Sequence, residues 1–95
     1  MLDGEREAIA GYVALIGDFV NGSMSAPEFE DRFQARYLAD QREWSEETFQ
    51  LLDRLFADVD FFVAEDDLRE PEKGDLDADG LRAAARRALD GLVAL

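Results

Sequence analysis

The sequence predicts an all-α, single-domain fold, an antiparallel bundle of four helices joined by short connections. Three observations lead there. Apolar residues recur at i, i+3, i+4 and i+7 through four separate segments. No stretch makes a convincing strand, and capping or turn residues punctuate the chain between the segments. A length of 95 residues suits one domain, residues 1–95, with one modest core.

The first helix is expected from about Asp3 to Val20, with Ile9, Tyr12, Val13, Ile16, Phe19 and Val20 on one face. Asp3, Glu5 and Glu7 fall in its first turns, where the helix dipole favours negative charge, and Asn21-Gly22 ends it. Ser25 and Glu28 have capping-box spacing at the start of the second helix, with Pro27 in its first turn. Phe29, Phe33, Tyr37 and Leu38 then form an aromatic and apolar stripe, ordinarily a core face rather than a ligand box. Ser45 is the expected N-cap of the third helix, with Trp44 as a staple onto Thr48 or a neighbouring helix. Its inward face reads Phe49, Leu52, Leu55, Phe56, Val59 and Val63, and as the most apolar helix it is expected at the bundle centre. Adjacent Phe61 and Phe62 cannot both face that core. The fourth helix starts near Asp77 or Asp79, with Leu81, Ala84, Ala85, Ala88, Leu89 and Leu92 inward and Arg82, Arg86 and Arg87 outward or toward the C-terminal dipole.

Composition removes several classes of function. The chain has no cysteine and no histidine, so thiol nucleophiles, zinc-thiolate sites, imidazole bases and the HExxH helix are all excluded. Carboxylates are so abundant that no pair of them marks acid–base catalysis, and the expectation is a non-enzyme without cofactor or metal. No apolar run approaches the roughly 20 residues of a membrane span, and the acidic N-terminus lacks the basic start of a signal peptide. A soluble, cytoplasmic protein is expected.

The net charge is −13, from 23 acidic and 10 basic side chains. It disfavours direct contact with nucleic acid or an anionic membrane, disfavours self-association and so favours a monomer when free, and points to a basic partner. The charge is concentrated. Asp58, Asp60, Glu65, Asp66, Asp67, Glu70, Glu72, Asp75, Asp77 and Asp79 are opposed only by Arg69 and Lys73, a net of −8 for this segment. A solvated loop without a partner is the common source of such a run. Here it begins on the last turn of a helix, at Asp58 and Asp60, where carboxylates oppose the dipole, and that misfit points to a role other than folding.

Two motifs invite a different reading. Asp75-Leu76-Asp77-Ala78-Asp79-Gly80 matches the opening of a calcium loop, but its twelfth position is Arg86 instead of a bidentate Glu. Carboxylates capping a helix N-terminus explain the same residues. A small acidic helical chain is also similar to acyl carrier proteins, yet Gly22-Ser23-Met24 lacks the Asp that precedes their modified serine.

Phe49-x-x-Leu52-Asp53-x-Leu55-Phe56-x-Asp58-Val59-Asp60 resembles the most recognisable stretch of the colicin D immunity proteins, within the self-protective colicin-like immunity proteins. So do the following acidic loop with Asp67-Leu68-Arg69, the Leu- and Arg-rich last helix, and the early Phe19-Val20-x-Gly22-x-x-Ser25-Ala26-x-Glu28-Phe29. The chain departs from the family pattern at Phe61-Phe62-Val63-Ala64 and over Glu70–Leu76. The resemblance implies a small helical inhibitor that covers the basic active site of a tRNA-cleaving toxin domain, its acidic surface standing in for the tRNA backbone. Asp53, Asp58, Asp60, Glu65, Asp66 and Asp67 are the expected acidic contacts, and Phe61 or Phe62 the apolar anchor among them. The charge alone is equally met by an acidic helical adaptor or a nucleic-acid mimic that binds another basic protein.

Overall fold

Caps and apolar periodicity place four helices close to the expected positions. The computed structural model describes residues 2–95, with α1 over Glu5–Val20, α2 over Ala26–Ala39, α3 over Glu46–Asp60 and α4 over Ala78–Val93. Among these residues the only strand-type pairing is an isolated parallel bridge between Phe62 and Leu76.

The ends of the helices fix the topology. Arg82 near the start of α4 donates Nε–H to the carbonyl of Phe19 at the end of α1, at 3.3 Å, so α1 and α4 run antiparallel. The Phe62–Leu76 bridge sets the start of α4 beside the end of α3. With α2 packed between α1 and α3, the result is an up-down-up-down bundle. Only α1 and α3 do not meet, and the helix packed most closely on its neighbours is α4, not α3. Its inward Ala84, Ala85 and Ala88 let neighbouring backbones come close, whereas the rings of Phe29, Phe33 and Tyr37 hold α2 further off. The connections are short except the third, residues 61–77, which carries two 3₁₀ turns.

Local signals act largely as expected. Gly22, at φ +88°, closes α1 in a Schellman turn: Ser23 N–H reaches the Asp18 carbonyl and Gly22 N–H that of Phe19. Ser25 Oγ accepts from Glu28 N–H at 3.3 Å, while the Glu28 carboxylate turns to Arg32 and leaves half the capping box unmade. Phe19 stacks on Phe29 at 4.4 Å, and the aromatic row continues through Phe33 and Tyr37 to Phe56. That row is core packing. Leu38, assigned to the same stripe, lies outside it and is exposed.

The start of α3 differs from expectation, and Glu5 is the reason. Its carboxylate is fully enclosed and accepts from Ser45 N–H at 2.6 Å, Ser45 Oγ–H at 2.7 Å and Thr48 Oγ–H at 2.8 Å. Ser45 still precedes the helix, but its hydroxyl serves Glu5 instead of a backbone N–H. Thr48 therefore turns inward, so the buried face of α3 is Thr48, Leu52, Leu55 and Val59. One position on, Phe49 swings out to 46% exposure, and Phe56 and Val63 are only partly covered. Trp44 packs edge-on against Tyr12 of α1, at 5.9 Å, the neighbouring-helix alternative of its two expected placements.

Burial alone pushes the Glu5 carboxyl up, but the three donated hydrogen bonds outweigh it and hold its pKa below the ordinary 4.5. A depressed carboxyl contributes stability that is present above its unfolded value and lost as pH falls through the folded one. Glu5→Gln is accordingly expected to cost about 2 kcal/mol at pH 7. The difference from the parent should shrink as pH drops below 4.5. Urea unfolding followed by circular dichroism at pH 7 and pH 3.5 checks both statements.

Candidate partner-binding face

The third connection is a built structure. Leu76 N–H donates to Phe61 O at 2.8 Å and Val63 N–H to Leu76 O at 3.0 Å, which pins its two ends together. Between them, Asp66–Leu68 and Pro71–Lys73 form the two 3₁₀ turns. Gly74 closes the second turn at φ +93°, a conformation that favours glycine. Asp75 accepts from Glu70 N–H at 2.9 Å, and Lys73 pairs with Glu70. The resulting loop exposes Glu65, Asp66, Asp67, Glu70 and Glu72.

The two phenylalanines separate as steric logic requires. Phe62 enters the core, and Phe61 remains 46% exposed with its ring edge over Gly74. Leu68, exposed among the loop acids, is a second apolar group on this surface that the charge pattern alone did not single out.

Asp60 and Glu65 do not stand alone. Glu30, on the second turn of α2, lies close enough that Asp60, Glu65 and its neighbour Asp31 all act on its carboxyl. Partial burial, followed by these three negative charges, pushes its pKa above the ordinary range. None of the four carboxylates makes an ion pair among the described residues. The chain thus gathers like charges from α2, the end of α3 and the loop, and leaves them uncompensated. No signal in the sequence marked Glu30, because only the packing of α2 against α3 brings it there.

The remaining expected contacts divide between two sides. Asp53 lies on the same side of α3 as Asp60, two turns earlier, and accepts from Tyr37 OH at 3.3 Å. Burial and then the Asp53 charge push that phenol up to about 12. Asp58 is on the other side of α3, in a groove lined by Leu51, Arg54, Leu55, Ala84, Arg87 and Ala88, and so is not brought together with Asp60. The calcium-like stretch resolves into local roles: Asp77 caps α4 through Gly80 N–H at 2.7 Å, and Asp75 braces the loop. Among the described residues no group of three or more acidic side chains could hold a metal ion.

Residues 8–92 match the family model of bacterial self-protective colicin-like immunity. The chain belongs to that family. Membership makes it a bacteriocin immunity protein, in an inhibitor family rather than an enzyme family, and implies a cognate colicin-like toxin as its partner. No curated protein matches the chain. Among the described residues no helix is long and apolar enough to cross a membrane.

A carboxyl with a raised pKa destabilises the fold increasingly as pH rises from its ordinary value through the raised one. Glu30→Gln is therefore expected to stabilise the free protein at pH 7, by less than about 1 kcal/mol given solvent screening. At pH 3, where the carboxyl is protonated in both states, the gain should vanish. Thermal melts at the two pH values measure it.

Proposed function

We propose that this immunity protein binds the basic nuclease domain of a tRNA-cleaving toxin and occludes its active site. Its acidic face stands where the phosphates of the tRNA would lie. The observation that carries the reading is the uncompensated convergence of Glu30, Asp60 and Glu65 beside an ordered acidic loop. Like charges held together against their repulsion gain most when a cationic surface docks on them, and they also steer its approach. The contacts are Asp53, Asp60, Glu65, Asp66 and Asp67 together with Glu30, and the exposed Phe61 and Leu68 supply apolar anchors within the charged surface. Long-range charge sets the association rate, and the few contacts buried on docking set the dissociation rate.

Calorimetric titration against the nuclease domain of the cognate toxin, at low and high salt, tests the proposal. Tight one-to-one binding that weakens with salt, with loss of tRNA cleavage, is the expected result. Asp60→Ala should cost about 3 kcal/mol of binding. Asp58→Ala, on the far side of α3, should cost under about 0.5 kcal/mol, and Glu72→Ala should change mainly the salt dependence. No binding at either salt would overturn the reading and return the acidic face to an adaptor of another basic protein.

A further inference from the structure

We infer that Arg69 is a positioning residue for toxin recognition, acting through the loop it ties together and not through its own charge. The inference rests on the toxin-binding reading above. Arg69 is one of only two cations in the most acidic part of the chain, and it is turned inward, its side chain 16% exposed. Its guanidinium donates from Nε and Nη2 to the Val63 carbonyl, at 3.1 and 2.9 Å, from Nη2 to the Ala64 carbonyl at 3.4 Å, and from Nη1 to Asp66 Oδ1 at 2.7 Å. One planar fork thereby holds the first strand-like residues after Phe62 and the first 3₁₀ turn in a single arrangement. Asp66 remains 92% exposed while paired, so the contact orients this carboxylate without covering it.

A segment this rich in like charge spreads when nothing ties it. A spread loop must then be ordered at the moment of binding, which weakens the complex. Lys73 supplies the contrast: it carries the same charge in the same loop, but it is exposed and pairs only with Glu70. If charge alone governed recognition of a cationic toxin, removing either cation would make the face more negative and tighten binding. A positioning role reverses that sign at Arg69 and not at Lys73.

The experiment compares the parent chain with Arg69→Ala, Arg69→Lys and Lys73→Ala in surface plasmon resonance against the nuclease domain of the cognate toxin. Hydrogen exchange of residues 61–77 is followed in the free proteins. Arg69→Ala is expected to weaken binding about 30-fold, through both slower association and faster dissociation, and to speed exchange in the loop but not in α1 or α4. Arg69→Lys keeps the charge without the fork and should still lose about tenfold. Lys73→Ala should bind within about threefold of the parent, or more tightly. Unchanged or tighter binding by Arg69→Ala, with the parent binding normally, overturns the positioning role and leaves the toxin reading standing. Failure of the parent to bind removes both.

Discussion

The enclosed carboxylate of Glu5 couples the start of α1 to the start of α3 across the diagonal of the bundle, where the two backbones do not otherwise approach one another. An enclosed charge is tolerated only when its lone pairs are met, and here the backbone and hydroxyl of Ser45 and the hydroxyl of Thr48 meet them. That requirement selects which face of α3 turns inward. Once Thr48 points at Glu5, Leu52, Leu55 and Val59 must follow it into the core, and Asp53 and Asp60 are carried onto the side that borders α2. The rotation that satisfies one carboxylate therefore also presents the others.

The opposite end of the molecule holds charge on different terms. Glu5 is stabilised by donors, whereas Asp60 and Glu65 act on the Glu30 carboxyl and none of the three is paired with a cation among the described residues. A row of stacked and tilted rings from Phe19 to Phe56, with the alanine face of α4, supplies the burial that tolerates this repulsion. Arg82 adds a cation where α1 ends: it lies 4.8 Å over the Phe19 ring and bonds the Phe19 carbonyl, where the helix dipole favours positive charge. The donor-stabilised carboxylate and the uncompensated ones thus lie at opposite ends of the bundle. The acidic end carries a repulsion that the rest of the fold absorbs.

Features governed by neighbours in the chain were readable from the residues: the Gly22 closure of α1, the Ser25 and Asp77 caps, and the burial of only one of Phe61 and Phe62. The resemblance also led to the right family. Features set by contacts between distant segments were not readable. Phe49 and Thr48 fit the apolar period of α3 about equally well, and only a carboxylate 43 positions earlier decides between them. Apolar content favoured α3 as the central helix, but close approach depends on side-chain size, and the alanines of α4 settle the matter. Asp58 and Asp60 look equivalent as neighbours in an acidic run, yet the turn of the helix sends them to opposite sides. Glu30 carried no mark in the sequence at all.

The bridge between Phe62 and Leu76 has a consequence for how such a protein can change. Because it fastens both ends of residues 63–75 to each other next to α3 and α4, the intervening chain can lengthen, shorten or exchange residues without moving either helix. The length of the loop is thereby uncoupled from the frame that supports it. On the toxin-binding reading proposed above, a lineage that must follow a changing toxin can rewrite that stretch in small steps, each leaving a folded protein, as an interchangeable tip on a constant handle.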